Sequence, residues 1–261
     1  MPPVVSARLT ILGKSPSWQD RDGACSGYLV EGGAHALLID CGSGVFAKLR
    51  AHDAHERVES VVISHFHADH VLDLVPFAYA LTYGSVLRET RPQLHVPPGG
   101  RDSLRRLCGT WGSETLIEDA FELDEYDPAA ELGLAAARLR FQTLPHYVQS
   151  QAIELRAADD GGRRLVFSGD CGPNELLASF ARAAQLLLIE STLLDPESPS
   201  DEPAGHLTAA QAGEIGRAAG VARLVLTHYS DQLDPALLRA RAEEAFGGEV
   251  ELAVEGAVYE V

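Results

Sequence analysis

The stretch Ser64-His65-Phe66-His67-Ala68-Asp69-His70 places four groups able to hold a cation within six residues, in the pattern H-x-H-x-D-H. Neutral imidazoles and carboxylates are the ligands of a borderline cation such as zinc, and a set without thiolate also suits manganese or iron. His65 and His67 stand two apart after the apolar run Val61-Val62-Ile63, so on extended backbone both rings point to one side. A turn must then carry Asp69 and His70 toward a second position. The motif therefore suggests two neighbouring divalent metal ions rather than one.

Three later segments offer further ligand types in the same local setting. His146 follows Thr143-Leu144-Pro145, Asp170 follows Val166-Phe167-Ser168-Gly169, and His228 follows Leu224-Val225-Leu226-Thr227. Each stands where an apolar strand gives way to a loop, and loops at one edge of a sheet are where reacting groups collect. Any one of them alone could be a hydrogen-bonded structural residue. Their equivalent positions, behind the H-x-H-x-D-H run, argue for one site.

The elements that must position these groups follow from the apolar patterning. Arg8 to Gly13, Gly27 to Glu31 and His35 to Asp40 read as strands, with Gly32-Gly33 as a hairpin turn. Asp40-Cys41-Gly42-Ser43-Gly44 leads into a short helix near Val45 to Arg50, and Asp40 could either brace the metal loop or simply form the turn. Val58 to Ser64 is the strand that delivers the motif, and Asp69 to Tyr83 continues as an apolar helix whose aromatics read as core. Gln93 to Val96 is a short strand, after which Pro97-Pro98-Gly99-Gly100 breaks the chain before a helix near Arg101 to Cys108. The acidic tract Glu114 to Glu131 reads as a solvated helix and loop, with a lid opposite the motif as the alternative.

A second set of strands spans Arg138 to Thr143, Gln151 to Arg156 and Arg164 to Ser168, with Asp159-Asp160-Gly161-Gly162 as a turn. Leu186 to Glu190 is a buried-type strand, and Asp195 to Pro203 a flexible loop. Thr208 to Gly220 reads as a helix with Thr208 as its cap and Gly220 as its stop. Leu224 to Thr227, a helix from Pro235 to Phe246, and strands at Val250 to Val254 and Ala257 to Val261 complete the chain. Strands, a helical middle and a second strand-rich half favour an α/β fold of two sheets face to face with helices outside, a four-layer αββα sandwich, as one domain over residues 1–261.

With 261 residues, 46% of them hydrophobic and 23% charged, the chain can bury a substantial core. Its formal charge of -17 opposes stable nucleic-acid binding and attachment to anionic membranes. Two divalent metals would still make a local cationic site. Cys25, Cys41, Cys108 and Cys171 lack C-x-x-C pairing, which suits a reducing cytosol. The first ten residues lack a basic stretch with an apolar core, and no apolar run approaches the roughly 18 residues of a membrane span. A cytoplasmic protein is expected.

On these motifs the sequence resembles the metallo-β-lactamase fold superfamily, essentially from Leu9 onward. His65, His67, Asp69 and His70 match its first motif, His146 its second, Asp170 in Ser-Gly-Asp its third, and His228 in Leu-Thr-His-Tyr-Ser its last. It is most similar to the ribonuclease Z-like and cyclic-nucleotide phosphodiesterase branch. The carriers are Leu9-Thr10-Ile11-Leu12-Gly13, Leu38-Ile39-Asp40-Cys41-Gly42-Ser43-Gly44, Glu190 in Ile-Glu-Ser-Thr, and Gly205-His206-Leu-Thr-Ala-Ala-Gln-Ala-Gly.

The resemblance implies that one metal takes His65, His67 and His146, that the other takes Asp69, His70 and His228, and that Asp170 bridges them. A bridging carboxylate offsets the charge of two cations about 3.5–4 Å apart. Asp69 would then orient the attacking water or accept its proton. His206, held charged by Glu190, would protonate the leaving oxygen. The plain alternatives are a helix-start role for His206 and an acid ending a buried strand for Glu190. Homodimers are common in this branch.

The implied activity is metal-dependent hydrolysis, with a small phosphodiester such as a cyclic nucleotide as the leading substrate. Ribonuclease Z activity is the first alternative, but that family's long tRNA-holding arm commonly lies between the positions of His146 and Asp170. Only 24 positions separate them here, and Tyr147-Val148-Gln149-Ser150-Gln151 replaces the usual Ser-Phe-Gly. Carboxylic hydrolysis of the thioesterase or lactamase kind has no need of His206, and Cys171 finds no vacancy among the ligands. A metal-stabilised binding module without activity is the remaining class.

Overall fold

Alternation along the strands decides which layer each residue enters. In Arg8–Gly13 (β1) Leu9 and Ile11 face one side and Leu12 the other; Gly27–Gly32 (β2) and His35–Ile39 (β3) divide in the same way, Tyr28, Val30, Leu37 and Ile39 against Leu29, Ala36 and Leu38. These strands are buried on both faces, so they lie between layers. The computed structural model describes residues 7–84, 90–135, 137–157, 164–197 and 204–261. The turn expected at Asp159 to Gly162 and part of the loop expected at Asp195 to Pro203 lie outside them.

The chain continues through Val45–Ala51 (α1), Val58–Val62 (β4), Ala68–Val71 (α2), Leu74–Tyr83 (α3), Gln93–Val96 (β5), Gly100–Gly109 (α4), Leu116–Ala120 (α5) and Glu122–Glu125 (β6). The second half holds Leu132–Gly133 (β7), Ala137–Leu144 (β8), Ser150–Ala157 (β9), Arg164–Phe167 (β10), Leu176–Phe180 (α6) and Leu186–Glu190 (β11). Ala209–Ala219 (α7), Leu224–Thr227 (β12), Pro235–Phe246 (α8), Glu251–Leu252 (β13) and Val258–Glu260 (β14) follow. None of the described helices is long and apolar enough to cross a membrane.

Among the described residues two seven-stranded sheets result, in the orders β14-β1-β2-β3-β4-β5-β6 and β13-β12-β11-β10-β9-β8-β7. In each, one part is parallel (β3 to β6; β10 to β13) and the rest antiparallel. The residues of β1 to β4 that turn inward meet Leu139, Phe141, Ile153, Leu155, Phe167, Leu188 and Val225 of the second sheet. A second core lies between the first sheet and α1, α3, α4 and α5, and a third between the second sheet and α6, α7 and α8. Three apolar layers between four structural layers make the expected αββα sandwich. Tyr28 ties the two sheets together: its ring lies 4.8 Å from Phe167 and its hydroxyl 2.9 Å from Thr227 Oγ1, one residue before His228.

Two expectations are corrected. The helix expected from Asp69 to Tyr83 is broken at Leu72-Asp73, because Asp73 is drawn to the loop after β3. Its N–H donates to the Cys41 carbonyl at 3.0 Å, and its carboxylate accepts from the Phe46 N–H at 2.8 Å, at the start of α1. Pro76 then sits in the first turn of α3, where no intrahelical donor is needed. Phe77 is core, stacked on Phe46, while Tyr79 and Tyr83 are exposed. The second correction concerns the acidic tract. The expected helix is present and residues 127–131 are a largely exposed loop, but the tract is also built into the fold: α5 buries Leu116, Ile117 and Ala120, Phe121 meets Phe77 edge-on, and β6 pairs with β5 as the edge of the first sheet.

Candidate metal centre

Six strands end at one edge of the sandwich. β3 delivers Asp40, β4 the loop from Ser64, β8 His146, β10 Asp170, β11 Glu190 and β12 His228. Parallel pairing in both sheets aligns these C-terminal ends, and β8 runs with β10 because both are antiparallel to β9. Three of the exits turn through the left-handed region: Asp40 at φ 59°, Gly169 at 59° and His228 at 52°. Such a conformation costs a side-chain-bearing residue energy and persists where its surroundings hold it. Here it swings the side chain off the strand axis and over the sheet edge.

The loop after β4 lies against the loop after β3. Gly42 packs so closely that a Cβ there would lie 1.8 Å from the Asp69 carbonyl oxygen, and the Cys41 N–H donates to the His70 carbonyl at 2.8 Å. Glycine at 42 therefore lets α2 settle onto the sheet.

Among the described residues two groups of ligand atoms share Asp170, and a third, Glu190, His206 and His228, adjoins them. In the first, His67 Nδ1 lies 3.2 Å from His65 Nε2 and 3.0 Å from His146 Nε2; Asp170 Oδ2 stands 3.6 Å from His65 Nε2 and 4.0 Å from His146 Nε2. In the second, Asp69 Oδ2 lies 3.2 Å from His228 Nε2 and 3.6 Å from His70 Nε2, while the same Asp170 Oδ2 stands 3.3 Å and 3.4 Å from those nitrogens. Four atoms at bonds of about 2.0–2.1 Å around a tetrahedral zinc stand about 3.3–3.4 Å apart. Both groups have edges of that length, and Asp170 is common to both.

Buried atoms that lack partners fit a cation as well. Among the described residues, both carboxylate oxygens of Asp170 and Nε2 of His70 are buried and find no hydrogen-bond partner. The Asp170 contacts at 3.3 to 4.0 Å are proximity rather than hydrogen bonds, and the outer nitrogens of the rings involved have partners of their own. His70 Nδ1–H donates to Asp40 at 2.7 Å and His146 Nδ1–H to the Gly205 carbonyl at 2.7 Å. The Ser64 hydroxyl donates to Asp40 and so accepts from His65 Nδ1 at 3.0 Å; the Thr192 hydroxyl donates to Glu190 and so accepts from His228 Nδ1 at 2.8 Å. The outer bonds thus turn four Nε2 atoms toward a buried carboxylate, where each can carry a proton, as His228 does toward Asp69 at 3.2 Å, or give it up to a metal, the arrangement that outer hydrogen bonds give to ligating histidines.

The electrostatics run the same way. Burial, first of all, pushes His65, His67 and His146 below the ordinary histidine value, toward the neutral form a metal takes. Burial also opposes the charge of Asp170, yet His228, His70 and His65 outweigh it and hold that carboxyl well below its usual range. Asp69, likewise disfavoured by burial, is brought down to about 2 by the hydrogen bond from His228 and the neighbouring His70. For His70, burial is outweighed by Asp170 and Asp40, which draw a proton to the ring. A proton and a metal compete for the Nε2 lone pair, so metal uptake would release protons.

Between the two groups stands His206, its ring 5.0 Å from that of His146 in the first. Its Nδ1 lies 3.1 Å from Glu190 Oε1, and its ring is 5.7 Å from that of His228. Glu190 is fully buried and also accepts from the N–H of Cys171 at 2.7 Å, the N–H of Leu207 at 3.2 Å and the Thr192 hydroxyl at 2.7 Å. Burial disfavours charge on His206, but the bond to Glu190 prevails and raises its pKa to about 9. Cys171 is held as a thiol by burial and by Glu190 and Asp170, so it does not enter the ligand set. Asp40 proves to be both a turn residue and a brace, accepting from the Ser64 N–H, the Ser64 hydroxyl and His70. Sequence reasoning passed over Ser64, Thr192 and the Gly205 carbonyl. The only signal for Thr192 was its place two residues after Glu190.

A family model described as a beta-lactamase superfamily domain matches residues 35–229. A probable metallo-hydrolase of Bacillus subtilis (strain 168), YhfI, is 29% identical over 253 residues, covering 97% of this chain and 99% of its own length. A ribonuclease Z of Myxococcus xanthus (strain DK1622) is 30% identical over 302 residues, covering 97% of each chain. The crystal structure of YhfI, described as a metallo-beta-lactamase fold protein, matches with a TM-score of 0.86 at 27% identity, over 98% of this chain and all of that one.

Proposed function

The chain belongs to the beta-lactamase superfamily, and from that premise we propose that it is a dinuclear metal-dependent phosphodiesterase acting on a small phosphodiester such as a cyclic nucleotide. His65, His67 and His146 would hold one divalent ion, Asp69, His70 and His228 the other, with Asp170 between them; zinc is the first choice of metal. Two such ions supply a water of lowered pKa and neutralise the anionic oxygens of the diester. We read residues 1–261 as one catalytic unit, because β4 of one sheet and β8, β10 and β12 of the other each contribute part of the set.

The chain's own residues have three tasks. The carboxylate of Asp69 accepts the proton of the attacking water or orients it. Asp40, Ser64, Thr192 and the Gly205 carbonyl hold the ligating rings in the tautomer that leaves Nε2 free. His206, protonated and supported from behind by Glu190, donates a proton to the leaving oxygen. This last group is the observation that carries the reading. An alkoxide leaves a phosphodiester poorly without a proton, and a cationic donor beside both ligand groups meets that need.

A ribonuclease Z reading is favoured by the Myxococcus xanthus relative. Against it, that alignment runs to 302 positions beside a chain of 261, so the relative carries insertions this chain lacks. Only residues 158–163 join β9 to β10, too few for a tRNA-holding arm. The test is steady-state hydrolysis by zinc- or manganese-loaded protein of cyclic AMP, bis-p-nitrophenyl phosphate, a thioester and a precursor tRNA, with Asp69→Ala as control. Diester turnover that disappears in the variant is expected. Thioester turnover with inert diesters would overturn the reading, and preferential tRNA cleavage would favour the alternative.

A further inference from the structure

The innermost ligands His65, Asp69, His70, Asp170 and His228 are buried, whereas His67 is half-buried and the His206 side chain keeps 15% of its surface exposed. Access is therefore on the side of His67 and His206. Tyr147, the residue after His146, stands on that side with 51% of its surface exposed. Its ring centroid lies 5.1 Å from that of His146 and 5.7 Å from that of His206, tilted 42° and 72° to them.

The ring is held in place. It lies so close to Gly205 that a Cβ there would come within 2.3 Å of its Cε2 and Cζ atoms. Its hydroxyl donates to Glu197, whose carboxylate also accepts from the Gly205 N–H at 3.1 Å. A large exposed aromatic, clamped at its hydroxyl and packed on a glycine, keeps a fixed orientation at little further entropic cost on binding.

Resting on the phosphodiesterase reading, we propose that Tyr147 determines specificity as an aromatic platform for the planar base of a nucleoside phosphodiester. His206 marks the position of the leaving oxygen, so the substituent on that oxygen emerges beside Tyr147. Stacking on an aromatic ring accepts every base, because each has a π-face. The platform therefore selects nucleotides as a class over small alkyl diesters, with little discrimination between bases.

The competing role is a latch, in which the hydroxyl merely ties Glu197 and Gly205 together. Calorimetric titration of the metal-loaded protein with adenosine 5′-monophosphate and, separately, with inorganic phosphate distinguishes the two. Tyr147→Leu should weaken binding of the nucleotide about tenfold and leave that of phosphate unchanged. Tyr147→Phe, which keeps the ring and loses the hydroxyl, should bind both as the wild type does. The proposal is overturned if Tyr147→Leu binds the nucleotide normally, if both ligands weaken together, or if Tyr147→Phe is as impaired as Tyr147→Leu. Wild-type protein that binds neither ligand would instead bring down the phosphodiesterase reading, and this proposal with it.

Discussion

Replacing Asp40 by asparagine tests whether the residues behind the ligands set the properties of the site. Asparagine has nearly the same shape and tolerates the left-handed backbone at φ 59°, so the fold is not strained by the change. One carboxylate oxygen accepts from the Ser64 N–H at 2.7 Å; the other accepts from the Ser64 hydroxyl at 2.8 Å and from His70 Nδ1–H at 2.7 Å. An amide has one acceptor oxygen. If it faces Ser64 Oγ and His70, its NH2 meets the Ser64 N–H and leaves a buried donor unpaired, at a cost of about 1–3 kcal/mol. If it turns the other way, His70 must shift its proton to Nε2 and lose the lone pair directed at the centre.

Zinc affinity should therefore fall about 10- to 100-fold, as it does when an outer partner of a ligating histidine is removed. Competition with a chromophoric chelator at pH 7 measures that change, and urea unfolding of chelated protein measures the stability loss separately. Unchanged zinc affinity in Asp40→Asn would refute the argument that the outer bonds of Asp40 prepare His70 for a metal.

His206→Ala should retain both metals and lose turnover, most severely for diesters with poor leaving groups; equal loss on p-nitrophenyl esters would deny it the role of acid. The pH profile should follow the same residue. A donor with a pKa raised to about 9 is charged below that value, so turnover of alkyl-leaving diesters should decline as pH rises through about 9. Glu190→Gln should move that limb toward lower pH, and an unmoved limb would separate the two residues. The Glu190–His206 pair also adds stability that is present below the ordinary histidine value of 6.5 and lost as pH rises through about 9. Finally, the Cβ added by Gly42→Ala would fall 1.8 Å from the Asp69 carbonyl oxygen, so the two loops must separate and both metal content and thermal stability should fall. Wild-type metal content in that variant would show that the two loops are not mechanically joined.

Much of the scaffold was legible because its signals are local. β1, β12 and α8 match their expected bounds, and α7 has the Thr208 cap, completed by Gln211, and the left-handed Gly220 stop that its sequence suggests. What was missed depends on distant partners. Within Asp69 to Tyr83 Pro76 signals a break, since its ring excludes a helical bond to Leu72, but nothing there announces that Asp73 will bond to Phe46 and Cys41 at the division. Glu122-Leu123-Asp124-Glu125 has a single apolar residue and reads as solvated, yet an edge strand needs only backbone pairing on one side. At the site, histidines and aspartates at strand ends are conspicuous by type and spacing. Ser64 and Thr192 are not, since a small hydroxyl turns one proton and one lone pair to use only where the fold places it. The Gly205 carbonyl carries no side-chain signal at all.

The central claim is that seven side chains from both sheets form one dinuclear centre around Asp170. The most direct measurement is the metal content of purified protein, loaded with zinc and freed of excess by dialysis, determined by mass spectrometry beside Asp170→Ala. Two zinc ions per chain, with both reduced in the variant, are predicted. One ion or none in the wild type, or an Asp170→Ala variant that still binds two, would contradict the shared centre.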